Sequence, residues 1–361
     1  MKRKFFIAGG GTGGHIYPGV AIAKALESIN TNLDIEFVGS QLGLETKIIP
    51  REGFVLHLLS AGKLNYKGSL IGKFFGLLKV FFGFIQAFIL LKREKPVGVL
   101  GVGGYASGPL VMAAAILRIP TSIWEPNAHP GLTNRWLAKF VQRSFIVFDV
   151  ARRYLKSSEV HLVGLPVRSE LELLNPKTST SEFNLLSFGG SQGARAINEI
   201  LEKSVLEESQ WLYRTKLIHQ TGVTDFTRVK LTYERSVFDV KAFEYLFDMD
   251  QRYQWSDLVI CRSGASTIAE LAAVGRAALL VPLPTAADDH QKKNAMAMVE
   301  KNAAILLEQK DLSVSKLTEI LLDLQSNPAK IAEMEKNAKL MHKPKAAEAI
   351  AKILNQHLSG K

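Results

Sequence analysis

Three glycine-rich segments carry the clearest chemistry in this sequence. They are Gly9-Gly-Gly-Thr-Gly-Gly14, running into His15, then Gly101-Val-Gly-Gly-Tyr-Ala-Ser-Gly108, then Gly189-Gly-Ser-Gln-Gly193. Each follows a short apolar run and precedes a helical pattern. Glycines let a backbone approach a ligand closely, and the helix that follows offers unpaired N–H groups and a positive dipole end. That combination suits phosphate or diphosphate. A fourth segment, Arg262-Ser-Gly-Ala-Ser-Thr267, has the same placement with fewer glycines. The first loop also fits G-x-G-x-x-G at Gly9, Gly11 and Gly14, a weak dinucleotide signature. The acidic residue expected at the end of the second strand is missing, since Ile35-Glu-Phe-Val38 runs into Gly39-Ser40. This argues against NAD or FAD, and no segment has the lysine of a P-loop.

Such loops need strands and helices to hold them. Strand candidates in the first half are Phe5–Ala8, Ile35–Val38, Val55–Leu58, Val97–Val102, Thr121–Trp124 and Ser144–Phe148. In the second half they are Leu185–Phe188, Lys216–His219, Val237–Ala242, Leu258–Cys261, Ala277–Val281 and Ala304–Leu307. Helical patterns fall between them, at Val20–Ser28, Pro109–Leu117, Leu132–Phe140, Ala194–Leu206, Thr267–Val274, His290–Lys301 and Ser313–Gln325. Short apolar strands separated by helices imply an α/β protein with parallel sheets covered on both faces. Two series of about six strands suit two doubly wound domains. The junction is expected near Gly164-Leu165-Pro166 or in the Ser/Thr-rich stretch 176–181, and a final helix over Pro344–Leu358.

The length of 361 residues agrees with two or three domains, and 47% hydrophobic with 22% charged residues describes a globular chain. A single cysteine, Cys261, excludes a disulfide framework and a cysteine-based zinc site. The apolar run at the start is too short for a secretory signal, and nothing has the length of a spanning helix, so the reading is a soluble, cytosolic protein. The net charge of +11 is unevenly placed. Residues 1–165 carry 20 Lys+Arg against 9 Asp+Glu, whereas residues 166–361 carry 25 of each. A basic excess confined to one half points to an anionic partner there, such as a nucleic acid, an acidic membrane or a phosphorylated ligand.

Seven segments together resemble the MurG family of bacterial glycosyltransferases. They are GGGTGGHIYPG at 9–19, GVGGYASGP at 101–109, PGLTNRWLAK at 130–139, GLPVR at 164–168, FGGSQGAR at 188–195, CRSGASTIAEL at 261–271 and DHQKKNA at 289–295. They occur in the family's order over nearly the whole chain. The resemblance implies a GT-B architecture, two Rossmann-like doubly wound parallel-sheet domains facing a cleft. It implies an N-terminal acceptor-binding, membrane-associating domain over 1–165, a UDP-GlcNAc-binding domain over 166–341, and a C-terminal helix, 342–361, returning to the first. The implied reaction is an inverting, metal-independent transfer of N-acetylglucosamine from UDP-GlcNAc to the C4 hydroxyl of undecaprenyl-diphosphate-linked muramyl-pentapeptide. No cofactor is implied, and the place of work is the cytoplasmic face of the cell membrane.

The residues can then be given expected roles. His15 starts a helix after the first loop, and its imidazole can take a proton from an attacking sugar hydroxyl. Tyr105 and Glu125 are the rival catalytic candidates. Gly10, Gly11, Gly103, Gly104 and Ser107 would hold the acceptor diphosphate. By the same resemblance Thr12, Gly13, Gly14 and Asn127 would meet UDP-GlcNAc from the first domain. Arg168, Ser191, Gln192, Leu246, Ala265, Ser266, Thr267, Glu270 and Gln291 would meet it from the second. Glu270 would accept from the ribose hydroxyls, and Leu246 would lend its backbone to the uracil. His290 stands where relatives tend to have a glutamine. His161 and His219 read as structural. Asp248-Met-Asp250 mimics a metal-diphosphate motif, but it precedes a helix and reads as an N-cap, as do Asp288 and Asp289 before His290.

Residues 69–91 form an apolar segment interrupted by Lys73 and Lys79. At 100° per residue Ser69, Gly72, Gly76, Lys79, Gly83 and Gln86 share one stripe. The wide remaining arc carries Phe74, Phe75, Phe81, Phe82, Phe84 and Phe88. Part of it is expected in a bilayer interface, ringed by Lys67, Lys73, Lys79, Lys92, Arg93 and Lys95. The alternatives are another GT-B lipid glycosyltransferase of the diacylglycerol type and a non-catalytic nucleotide-sugar-binding scaffold at a membrane. Nucleic-acid binding is set aside, because no recognition motif appears and the basic residues flank apolar sequence.

Overall fold

The computed structural model describes residues 2–10, 13–41, 43–60, 70–174, 182–190 and 192–358, with backbone alone for Gly13, Ser169 and residues 70–77. The chain divides into two compact units, 1–166 with 345–361, and 167–344. The first contains β1 (Arg3–Ala8), α1 (Gly13–Ile29), β2 (Leu33–Ser40), α2 (Glu45–Arg51), β3 (Val55–Leu59) and α3 (Leu70–Glu94). It continues with β4 (Gly98–Gly101), α4 (Ser107–Ile116), β5 (Thr121–Glu125), α5 (Leu132–Leu137), β6 (Arg143–Ile146) and β7 (Glu159–Leu162). The second contains α6 (Ser169–Glu172), β8 (Phe183–Phe188), α7 (Arg195–Leu206), β9 (Thr215–Gln220), α8 (Phe226–Glu234), β10 (Val240–Phe243) and α9 (Met249–Trp255). After these come β11 (Leu258–Cys261), α10 (Ala265–Val274), β12 (Ala277–Leu280), α11 (His290–Val299), β13 (Ala304–Leu306), α12 (Val314–Ser326) and α13 (Pro328–Met341). The last helix, α14 (Ala346–Leu358), lies in the first unit.

Each unit is a parallel sheet, of seven strands ordered β3-β2-β1-β4-β5-β6-β7 and of six ordered β10-β9-β8-β11-β12-β13. The central strands are buried on both faces, which explains their continuous apolar runs: Phe5, Phe6, Ile7 and Ala8 are each at most 1% exposed. The first sheet has one strand more than the sequence pattern gave. The added strand, β7, is a half-buried edge whose Glu159 and His161 dilute the apolar signal. The helix α1 begins at Gly13, not Val20, and contains Pro18. Proline normally ends a helix because it lacks an N–H; here it falls in the second turn, and His15 enters the first.

The returning helix α14 packs along α1. Arg3 Nη1 donates to the Leu358 carbonyl at 3.2 Å, and Asn30 Nδ2 to Asn355 Oδ1 at 2.6 Å. Lys4 lies 2.7 Å from both Glu36 and Glu94, and hydrogen bonds to these carboxylates push its pKa upward. In the second unit His219 is wholly buried on β9, with Nδ1 2.9 Å from the Tyr233 hydroxyl and Nε2 3.0 Å from Asn198 Oδ1. Burial drives its pKa down to about 3, so the ring is neutral and structural. His161 is likewise a packing residue, against Phe145 and beside Glu159.

Among the described residues no helix is long and apolar enough to cross a membrane. Of the predicted stripe, Gly83 and Gln86 meet protein. Gly83 packs against the Ser60 carbonyl, and Gln86 accepts from Ser60 N at 2.7 Å and donates to Ser60 Oγ at 3.1 Å. A small residue at Gly83 lets α3 approach the chain after β3. The opposite face leaves Phe81 57%, Phe82 54% and Ile89 58% exposed. Phe84 and Phe88 are half-buried on the core of the first unit. The side chains of Lys67, Ser69, Gly72, Lys73, Phe74, Phe75 and Gly76 lie outside the described residues, as does the 176–181 stretch.

Candidate active site

In an open parallel sheet the chain leaves in opposite directions on either side of one point, and a crevice opens there at the carboxyl ends of the strands. The two strand orders place that point between β1 and β4 in the first unit, and between β8 and β11 in the second. All four glycine or glycine-like loops leave from these four strands.

In the first unit β1 and β4 pair with Ala8 opposite Gly101, so their loops emerge side by side. Gly104, with φ +86°, lies against the backbone of Gly10; a Cβ there would meet the Gly10 carbonyl oxygen at 2.5 Å. Gly103, with φ +106°, lies under the ring of His15; a Cβ there would come within 2.6 Å of Nδ1. Only glycine permits this interlock, for both conformation and space. His15 is half-buried and fixed over the second loop, and Tyr105, within that loop, is 43% exposed. Gly13 and Gly14 open α1, while Gly11 and Thr12 lie outside the described residues.

Sequence reasoning missed the support beneath this loop. Glu45 is fully buried, touching the space beside Gly10, Gly39 and Gly43. Its Oε1 accepts from Ser40 N at 2.9 Å and Ser40 Oγ at 2.8 Å. Where a dinucleotide fold would carry a ribose-binding acid, this chain therefore has a carboxylate turned inward on the loop. Nothing in the local pattern distinguishes Glu45 from a surface glutamate.

Glu125, the third catalytic candidate, is held by its neighbours. It is 2% exposed at the end of β5, and its carboxylate accepts from Asn127 N at 2.9 Å, Asn127 Nδ2 at 3.1 Å, Gly131 N at 3.2 Å and Asn134 Nδ2 at 2.8 Å. Burial raises its pKa, with these hydrogen bonds opposing the rise. Taking a proton from a ligand would require breaking this set; Glu125 clamps the loop that leads into α5 and holds the Asn127 amide. Ser107 is 1% exposed, its Oγ lies against Gly101, and its backbone opens α4.

In the second unit Gly193, with φ +75°, backs onto the Thr221 carbonyl and turns the chain into α7. Gln220, also missed from sequence, ties two loops together. Its Nε2 donates to the Gly190 carbonyl at 2.8 Å, and its Oε1 accepts from Leu246 N at 3.3 Å. Leu246 is 3% exposed. With its N–H committed to Gln220, the backbone group it can lend a base is the carbonyl. Gln192 adjoins this loop, and Ser191 lies outside the described residues.

The helix α10 starts at Ala265 after an extended Gly264, with no side chain capping it, so the first-turn N–H groups of Ala265, Ser266 and Thr267 face the crevice end of β11. Glu270 is on the second turn. Its Oε2 accepts from the Tyr253 hydroxyl at 2.9 Å, and burial raises its pKa against the pull of Tyr253 and the Arg168 charge. Tyr253 is fully buried, so it fixes the carboxylate from behind. Arg168 is exposed just before α6. Gln291 accepts from Leu283 N at 3.0 Å through Oε1, and its carbonyl accepts from Ser263 Oγ at 2.8 Å. It thus joins the β11 loop to the β12 loop.

Asp248 and Asp289 stand at helix starts, but neither side chain makes a cap hydrogen bond. Asp248 instead pairs with Arg252 at 2.7 Å, one turn along α9, and Asp289 has a left-handed backbone, φ 57°. Among the described residues no group of three or more His, Cys, Asp or Glu is placed to hold a metal ion.

Two parallel-sheet α/β units, each with phosphate-type loops at its switch point, define the GT-B-like class of nucleotide-sugar enzymes. The chain matches the glycosyltransferase family 28 N-terminal domain over residues 5–146 and the glycosyltransferase family 28 C-terminal domain over residues 184–350. It is 46% identical to a protein of Bdellovibrio bacteriovorus over 99% of both chains, and 40% identical to one of Myxococcus xanthus over 97% of this chain and 92% of the relative. Both relatives carry the name UDP-N-acetylglucosamine–N-acetylmuramyl-(pentapeptide) pyrophosphoryl-undecaprenol N-acetylglucosamine transferase. The crystal structure of Acinetobacter baumannii MurG superposes with a TM-score of 0.83 at 27% identity, covering 99% of this chain and all of that one. The chain belongs to glycosyltransferase family 28, and within it to the MurG family.

Proposed function

We propose that this enzyme transfers N-acetylglucosamine from UDP-GlcNAc to the C4 hydroxyl of the muramyl sugar in undecaprenyl-diphosphate-linked muramyl-pentapeptide, a step of peptidoglycan synthesis. One observation carries the reading: the loops at both switch points are of phosphate-binding type, one bearing His15 and the other Glu270, in a chain 46% identical to a relative named for this transfer. The first unit binds the acceptor, whose diphosphate lies on the loops of Gly10, Gly11, Gly103 and Gly104 and the backbone at Ser107. The second binds the donor. His15 takes the proton of the C4 hydroxyl as its oxygen attacks C1 of GlcNAc. The C1–O bond to UDP breaks with its electron pair going to the diphosphate, and the anomeric centre inverts.

The departing UDP gathers charge, and the chain meets it with Arg168, with the N–H groups of the 189–193 loop and with the open first turn of α10. Donors already in place need no metal. UDP release should therefore proceed at an unchanged rate in excess EDTA and depend on the lipid-linked acceptor. Loss of release on chelation would overturn the metal-independent part of the reading, and release independent of the acceptor would overturn the transfer.

The acceptor is a membrane lipid, and we assign the first unit to the cytoplasmic leaflet. Exposed Phe81, Phe82, Ile85 and Ile89 lie on the same helix as Lys79, Lys92 and Arg93, with Lys95 just past its end. Each large apolar side chain buried contributes roughly 1.5–3 kcal/mol, and each basic residue near an anionic leaflet about 1 kcal/mol. Vesicle co-sedimentation should weaken with salt without vanishing and should need acidic lipid for full strength. The double replacement Lys73→Glu, Lys79→Glu should reduce it without changing UDP affinity. Equal binding to neutral and anionic vesicles would remove the electrostatic part, and binding to neither would remove the assignment.

A further inference from the structure

The helices α3, α4 and α5 enclose a cavity of about 720 Å³ in the first unit. Its walls are Phe81 and Phe84 of α3, Met112 of α4, and Leu132 and Trp136 of α5, with Thr133 among the few polar contributions. Leu132 is 71% and Trp136 53% exposed, so much of this apolar wall faces solvent. A concave, mostly apolar cavity with few polar groups is the usual form of a ligand site. Gly104, Tyr105 and Gly108 of the second glycine loop also line the cavity.

We propose that this groove holds the first isoprene units of the acceptor's polyprenyl chain. The inference rests on the reading of that loop as the acceptor diphosphate site. In a polyprenyl diphosphate the hydrocarbon starts at the oxygen of the second phosphate. A chain whose diphosphate lies on Gly103 and Gly104 is delivered to the mouth of the groove without a spacer. A sugar or peptide would leave its polar groups without partners on these walls, which costs more than the apolar contact returns. Basic residues of the right sign for a diphosphate lipid neighbour the lining in sequence, Arg135 before Trp136, Lys139 three residues after it, and Lys79 before Val80. The groove thus reads the lipid as a lipid and sets the register of the head group on the loop.

The test compares two acceptors with the same diphosphate-muramyl-pentapeptide head, one carrying four isoprene units and one a methyl ester in place of the chain, in detergent-free buffer. The wild-type KM for the prenylated acceptor should be lower by about tenfold or more, the effect of a few buried methylene groups. Met112→Trp, which fills the groove, should erase that difference while leaving the KM for the methyl ester and for UDP-GlcNAc unchanged; Met112→Leu should preserve it. Trp136→Ala, which removes one wall, should shrink the difference and serves if the larger residue disturbs folding. Equal KM values for the two acceptors in the wild type, or a difference that survives both Met112→Trp and Trp136→Ala, would overturn the groove and leave the transferase reading standing. Turnover of neither acceptor would overturn both.

Discussion

Replacing His15 by alanine is expected to lower kcat by about 10²–10⁴-fold, the usual contribution of a general base, while UDP-GlcNAc affinity stays near the wild-type value. The separation follows from where the ring sits. His15 lies in the first turn of α1, packed on Gly103, in the unit to which we assign the acceptor. The ribose and diphosphate contacts are assigned to the other unit. Calorimetry with UDP-GlcNAc and saturation kinetics with the lipid acceptor measure the two effects independently. A variant that keeps most of its turnover at saturating substrate would show that the proton leaves by another route. Tyr105 is then the residue to replace, because Glu125 is committed to Asn127, Gly131 and Asn134. Loss of UDP-GlcNAc affinity in the same variant would instead place His15 among the donor contacts.

Glu270→Ala should weaken UDP and UDP-GlcNAc together, by roughly 10–100-fold. Hydrogen bonds to a charged acceptor contribute about 1.5–3 kcal/mol, and every 1.4 kcal/mol is about tenfold in affinity. Tyr253 occupies Oε2, and the assigned ribose contact falls to the other oxygen. The pH dependence has a definite sign. The ionised carboxylate is the form that accepts from hydroxyls, and burial raises its pKa. Affinity should therefore fall on acidification, beginning at a higher pH than an ordinary glutamate would give. The Glu270→Ala variant should lack that dependence. Unchanged UDP affinity in the variant would remove the ribose contact.

The parallel sheets were readable because their inner strands are covered on both faces, and only apolar residues survive there. Phe5–Ala8 and Leu258–Cys261 are such runs. Elements with one polar face were harder. The helix α13 buries only Ile331, Met334 and Ala338; its clearest local sign was Asn327 followed by Pro328, where the Asn327 side chain accepts from Lys330 N at 3.3 Å. The helix α2 hides behind Pro50. The glycine loops stood out because their spacing is local. What they lean on did not: Gln220 acts across 26 residues on Leu246 and 30 on Gly190, and Tyr253 across 17 on Glu270. The Asp248 reading shows the reverse error, since a residue type suited to capping faces Arg252 instead.

The most direct test of the central assignment is the structure of the product. Purified enzyme, UDP-GlcNAc and undecaprenyl-diphosphate-linked muramyl-pentapeptide are incubated without divalent metal, and the lipid fraction is analysed by mass spectrometry and NMR. The account predicts a lipid heavier by one N-acetylhexosamine residue, attached through a β linkage to C4 of the muramyl sugar, with one UDP released for each product formed. An α linkage would contradict inversion. An unmodified acceptor alongside hydrolysed UDP-GlcNAc, or no reaction with this acceptor at all, would contradict the transfer itself.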